Sequence, residues 1–366
     1  MDNPLVSVAM VVCNVDRFLA ESIESILKQT YREFEFIIVD FGSTDNSKSI
    51  ASSYAVRDSR VKVHEIPHCG LAEARNASCS FAQGKYIAVM DADDVALPNR
   101  LSAEVDFMEK HPDVGVVGGA TEWIDATGKG WGVHDCPTED REIKSALPVY
   151  HPFFHPTLLI RKQAFDHVGR YRSAFAPAED YDLTMRISEH YNCANLKQVV
   201  LQYRIHTYQL SLQKRQQQTF GKLGAQVSAL SRAKGNPDPL NEATEITGAV
   251  LAQLGVTYAK QQQELALDRQ QWIRNRCAVG EHTLALGAAV EILESDLKHV
   301  ERWLIADLQI LVARLYWRQG KFARSCLSAA HAFIMRPIII VRPAKQLLGR
   351  FQVQDRLQLS STGGRQ

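Results

Sequence analysis

Short apolar runs punctuate the first part of the chain: VSVAMVV (6–12), FEFIIV (34–39), VKVHEI (61–66) and YIAVM (86–90). Their length and β-branched content predict strands, and the uninterrupted apolar ones fit burial on both faces. Between them the spacing turns helical, as with Leu19, Ile23, Ile26 and Leu27 at i, i+4, i+7 and i+8. Alternating strand and helix predicts parallel strands joined by right-handed crossovers. Pro98 suits the first turn of a helix running through Leu101, Val105 and Met108.

The texture changes near residue 212. Gln-rich stretches (213–218 and 261–264) flank long helical patterns, and β-branched runs stop until Ile338–Val341. Residues 303–334 predict two helices joined at Gln319-Gly320, with spacing that resembles one tetratricopeptide-like hairpin. The expectation is an α/β domain over 1–215 and an α-helical domain over 216–366.

Composition narrows the partners. Over 366 residues Lys and Arg (42) nearly balance Asp and Glu (41), so no global field points to nucleic acid. Seven scattered cysteines without a CxxC pair argue against a disulfide framework or a zinc site and suggest a reducing cytoplasm. The N-terminus lacks the pattern of a signal peptide, and no run approaches the roughly 20 apolar residues of a membrane span. A cytoplasmic protein, free or peripheral at the inner face of the membrane, is expected.

Open parallel sheets bind ligands at the carboxyl ends of their strands. Those ends carry Cys13-Asn14, Asp40-Phe41 and Asp91-Ala-Asp-Asp94, whereas neither GxGxxG nor GxxxxGK[ST] occurs. Carboxylates one residue apart can hold a hard divalent cation and leave positions for water and phosphates. An acidic cluster opening a helix is the alternative.

Several ordered motifs together resemble the inverting family-2 glycosyltransferases of GT-A fold. They are VSVAMVVCN (6–14), ESIESILKQTY (21–31), FEFIIVDFGSTDNS (34–47), GLAEARNASCSFAQGKYI (70–87), MDADDVALPNRL (90–101), HPTLLIRKQAFDHVGRYR (155–172), AEDYDLTMRI (178–187) and YRIH (203–206). The resemblance covers roughly residues 5–212. It implies a Rossmann-like, mostly parallel sheet flanked by helices. It also implies transfer from a nucleoside-diphosphate sugar to a glycan or lipid-linked acceptor, as in cell-surface polysaccharide assembly.

By that resemblance Asp93 looks like the ligand of a Mg²⁺ or Mn²⁺ ion on the donor diphosphate, with Asp91 reaching the ribose or the metal's waters. Arg75 and His206 match positions near the nucleotide, and Asn14 and Asp40 line the donor loops. Asp180 looks like the base that deprotonates the acceptor hydroxyl. His155 and Glu179 fall on the acceptor side, His151 beside them, and Arg186 is placed to pair with the acids one turn earlier. A non-catalytic nucleotide-sugar scaffold and a sugar-1-phosphate nucleotidyltransferase are the competing readings.

Two positions depart from the family pattern. Cys13 stands where an aromatic usually stacks on the base, and Phe41 where an aspartate usually bonds a uracil edge. Either Phe41 restores the stacking ring or it packs into the core beneath the turn. The basic, apolar stretch 321–351 suits an anionic membrane surface or a docked helical hairpin. The sequence sets no oligomeric state.

Overall fold

The computed structural model describes residues 5–206, 214–278, 280–294 and 297–336. The chain divides into two units, Met1–Val256 and Thr257–Gln366.

In the first unit the elements run β1 (Val6–Val12), α1 (Asp16–Leu27), β2 (Phe34–Asp40), α2 (Ser47–Arg57), β3 (Val61–Glu65), α3 (Leu71–Ser80) and β4 (Tyr86–Asp91). These strands pair in parallel, in the order β3-β2-β1-β4. Alternation sends Ala9, Ile37, Val39, Ile87 and Val89 to one core, and Val8, Met10, Phe36 and Ile38 to the other. Val12 pairs with Asp40 and Val11 with Asp91, so three strand ends emerge at one edge.

The chain continues through β5 (Val95–Ala96), α4 (Arg100–Lys110), β6 (Val114–Asp125), β7 (Gly130–His134), α5 (Asp140–Ala146), β8 (Leu159–Arg161), α6 (Lys162–His167), α7 (Glu179–Ser188) and β9 (Asn192–Ile205). Sheet order becomes β3-β2-β1-β4-β8-β6-β9-β5, with β7 on β6. Here parallel pairing gives way: β8 is antiparallel to both β4 and β6, while β9 runs parallel to β6. Helix α4 begins at Arg100, so Pro98 precedes its first turn; the Pro98 carbonyl accepts the Thr30 N–H at 2.9 Å.

The division falls at 256/257, not at 215/216. Helix α8 (Arg215–Ala233) reads as polar, yet it buries Leu223 and Ala225 in the first unit's core, followed by Leu240, Ile246 and Leu251. Gly221 permits the approach, since a Cβ there would stand 2.6 Å from the Phe175 carbonyl oxygen.

In the second unit, helices Tyr258–Ala278, His282–Glu294, Arg302–Arg318 and Phe322–Met335 enclose Ile273, Ala285, Ala289, Leu308, Val312 and Leu315. The last two form the expected hairpin, turning through Gly320 at φ +74°. No helix among the described residues is long and apolar enough to cross a membrane. Ile338–Val341 and the part of the basic stretch beyond Arg336 lie outside the described residues.

Candidate active site

Two loops form one corner of the carboxyl edge. After β1, Asn14 adopts φ +55°, and its side-chain oxygen accepts the Thr44 N–H at 2.7 Å and the Asp45 N–H at 3.3 Å. Asn14 thus ties the two loops together, and its oxygen is not left open to a donor ligand. After β2, Asp40 Oδ1 accepts the N–H groups of Gly42 (3.0 Å) and Ser43 (2.9 Å), while its enclosed Oδ2 has no partner among the described residues. Gly42, at φ +101°, lets His68 come close.

The Phe41 ring is half-buried and near-parallel to the His68 ring, 6.1 Å between centroids; it joins neither core. Core packing beneath the turn, one of the two expectations, is therefore not what the residue does. Cys13 lies in the same corner, where burial, then Asp40 and Asp45, push its thiol up and keep it neutral.

Next along the edge, the acidic turn after β4 has a different task for each carboxylate. Asp91 Oδ1 lies 3.2 Å from Arg75 of α3 and 3.8 Å from His155 Nδ1. Burial opposes its charge, but His155 and Arg75 outweigh it and hold the carboxyl down at about 2. At 3.8 Å the His155 contact is electrostatic, not a hydrogen bond. Asp93 Oδ2 sits 2.8 Å from His206 Nε2. Asp94 is buried and accepts the Arg204 N–H at 2.7 Å; burial first, then Asp93 and Asp91, push its carboxyl well above the ordinary range.

Arg204 was not singled out from the sequence, yet it holds this turn. Its Nε donates to the Asp93 carbonyl (2.8 Å), its Nη2 to Glu21 (2.7 Å), and its guanidinium lies over Phe18. The available signal was an arginine inside a buried strand end, which needs several acceptors.

Helix α7 opens with three acids that part company. Asp182 is buried against Arg172 and Arg186, the latter at 2.6 Å and as expected. Glu179 is fully enclosed and paired with Arg75, so it does not face an acceptor. His155 likewise turns inward, toward Asp91 and the Tyr171 hydroxyl at 3.0 Å, and not to the acceptor side. Helical rotation leaves only Asp180 open to the site. Its Oδ1 accepts the Tyr181 N–H (2.7 Å), and its Oδ2 is 3.5 Å from His151 Nδ1. His151 Nε2 is 3.0 Å from Thr184 Oγ1.

Burial opposes the charge on Asp180 too, but His151, His155 and Arg75 leave its carboxyl below the ordinary range. Burial also lowers His151, favouring neutral imidazole. Arg75 spans Asp91 and Glu179, so the acidic turn and the start of α7 are one construction. A surface cleft of about 470 Å³, lined by Gln83, Lys85 and Lys162, lies at the opposite, amino-terminal edge of β1 and β4, away from these carboxylates.

The oxygen of Asp93 beside the nitrogen of His206 suits Mg²⁺ or Mn²⁺, hard cations that keep places for water and phosphate. No three His, Cys, Asp or Glu side chains among the described residues form a metal cluster. A cation here would draw its other ligands from water and substrate.

The family model for glycosyl transferase family 2 matches residues 7–169. An uncharacterized glycosyltransferase of Methanocaldococcus jannaschii, MJ1057, is 33% identical over 212 residues, spanning 56% of this chain and 72% of that protein. The putative glycosyltransferase EpsE of Bacillus subtilis is 38% identical over 191 residues (51% and 67%). The O-antigen biosynthesis glycosyltransferase WbnJ of Escherichia coli is 34% identical over 207 residues (55% and 80%). Among solved structures, S. aureus TarS 1-349 matches 89% of this chain and 90% of its own at TM-score 0.51 and 17% identity, a likeness of fold. The sheet, its acidic edge and these relatives agree: the chain has the GT-A fold and belongs to glycosyl transferase family 2, a family of enzymes that transfer sugars.

Proposed function

We propose that this glycosyltransferase is inverting, and moves a sugar from a nucleoside-diphosphate donor to a hydroxyl of a glycan or lipid-linked saccharide. The setting would be cell-surface polysaccharide assembly at the inner face of the membrane, in line with the role in the name of the E. coli relative. One observation carries the mechanism: of the three acids opening α7, only Asp180 is left open, and Arg75 fixes it beside the acidic turn.

In this reading the acceptor oxygen attacks the anomeric carbon as its proton passes to Asp180 Oδ2. The bond to the diphosphate breaks on the opposite face, its electron pair leaving with the nucleoside diphosphate. Single displacement needs one base and inverts the carbon. His151 fixes the orientation of the carboxylate. Asp93 and His206 would hold Mg²⁺ or Mn²⁺, which supplies charge neutralisation to the leaving diphosphate. Release of nucleoside diphosphate that requires both cation and acceptor is expected; release indifferent to acceptor would count against transfer.

Asp40, Cys13 and Phe41 would form the base pocket, with Phe41 as the stacking ring. Base stacking on an aromatic is worth roughly 1–3 kcal/mol and tolerates any base. Phe41→Ala should therefore weaken UDP-, GDP- and dTDP-sugars alike, by about five- to 150-fold on that scale. Unchanged affinities, measured by calorimetry, would remove Phe41 from the pocket.

Lys321, Arg324 and Arg336 share the last described helix region with exposed Phe322, Leu327, Phe333 and Ile334, and no acid lies between Lys321 and Arg336. This face would rest on anionic lipid, each basic residue adding about 1 kcal/mol. The double variant Lys321→Glu, Arg324→Glu should float less with phosphatidylglycerol vesicles than wild type; equal flotation would place the membrane contact elsewhere.

A further inference from the structure

The hairpin β6–β7 carries aromatic residues that the chemistry above does not use. Its register runs Thr121 to His134 and Trp123 to Gly132, then shifts so that Ile124 faces Gly130. Trp131 is the extra residue of that bulge, and a bulge re-aims its side chain. The Trp131 ring meets Trp123 edge-on at 5.1 Å, and the His134 ring lies nearly flat on Trp123 at 3.7 Å. Gly132, opposite Trp123, puts no side chain over it.

On its other side Trp123 pairs across strands with Tyr203, 6.0 Å between rings, and Phe154 packs edge-on to Trp123 at 6.2 Å and 6.0 Å from Tyr203. This aromatic series starts at the reaction centre. The Tyr203 phenol lies in the field of Asp94, Asp93, Asp91 and Asp180. Phe154 sits on the segment that carries His151, beside Asp180, and His155, beside Asp91. The base corner is formed by the ends of β1 and β2, whereas the aromatic series stands on β6, β7 and β9, across β4 in the sheet.

Tyr203 packs against the core that holds Val8, Met10 and Ile38, and the other rings form no core of their own. Trp123 alone is buried, and the other four stay half-buried. The enclosed Trp131 Nε1 has no acceptor among the described residues, a donor that costs stability while unmade. Flat rings beside an unspent N–H donor suit a molecule with an apolar C–H face and a rim of hydroxyls, which is a pyranose.

We infer that Trp123, Trp131, His134, Phe154 and Tyr203 form a wall that binds a sugar ring of the acceptor, so the acceptor is a saccharide and not a simple alcohol. The inference deepens the proposed transfer and rests on it for the word acceptor, but its binding test does not depend on Asp180.

Saturation-transfer NMR on the full chain with UDP and Mn²⁺ tests it, using methyl β-glycosides of glucose, galactose, mannose and N-acetylglucosamine as probes and glycerol as control. Saturating the aromatic protons should reach ring C–H protons of at least one glycoside and not glycerol. Trp131→Ala should weaken that binding roughly tenfold, about 1.4 kcal/mol, and Trp131→Phe by well under that. Thermal stabilisation by UDP and Mn²⁺ should persist in both variants. No saturation reaching any glycoside, wild-type binding by Trp131→Ala, or joint loss of sugar and nucleotide binding in both variants would each overturn the wall. The glycoside signal is read without turnover, so a failed base assignment leaves it intact while a failed wall removes it.

Discussion

Replacing Asp180 with Asn lowers sugar transfer by about 10²–10⁴-fold, the usual worth of a general base, while donor binding persists. The amide is isosteric and can still accept the Tyr181 N–H, so the α7 N-terminus keeps its geometry. What it cannot do is take a proton at Oδ2. His151 does not take its place, because its Nε2 is engaged with Thr184 Oγ1 at 3.0 Å and its Nδ1 faces position 180 at 3.5 Å. Since the Asp180 carboxyl is held below the ordinary range, the base is ionised across neutral pH, and the acid limb of the wild-type profile lies below the ordinary carboxylate range. Initial rates at saturating donor, with nucleotide binding measured separately, check both statements. Full transfer by Asp180→Asn would dismiss the assignment.

The second large effect is on stability. Arg75→Met leaves Glu179 fully enclosed and without its cation, and removing one partner of a buried pair typically costs about 3–5 kcal/mol. Asp91 loses its guanidinium at the same time. Its folded carboxyl, near 2, lies below the unfolded value of about 3.9, so wild type draws stability from it above pH 3.9 and loses that share as pH falls toward 2. The variant should show a weaker acid dependence in that window. Adding Glu179→Gln removes the stranded charge and should recover most of the loss in urea titrations, without restoring transfer. A loss under about 1 kcal/mol in Arg75→Met would show that the pair does not hold the site together.

The sequence was most informative where burial is complete. Strands β1, β2 and β4 were legible because both faces are covered and most positions are apolar, the exceptions being Ser7, Glu35 and the strand-end acids Asp40 and Asp91. The antiparallel insertion of β8 was not, since three residues carry no readable period. Helix α8 misled through its Gln-rich start, although Leu223 and Ala225 already marked a buried face. At the site, the strand-end pattern marked Asp91 and Asp93 and the family resemblance marked Asp180, but the sequence could not say which of Glu179, Asp180 and Asp182 is left open, because that depends on the rotation of α7 against Arg75 and Arg172. The aim of Trp131 depends on one bulged residue, which pattern alone does not reveal.

The proposed chemistry is a single displacement with Asp180 as the only base. Its most direct test is the anomeric configuration of the new linkage, read by NMR from the ¹H–¹³C coupling of the product formed with a donor of known configuration. Inversion is expected, β product from an α-linked donor, with the same product forming about 10²–10⁴-fold more slowly in Asp180→Asn. A product that keeps the donor's configuration would contradict it.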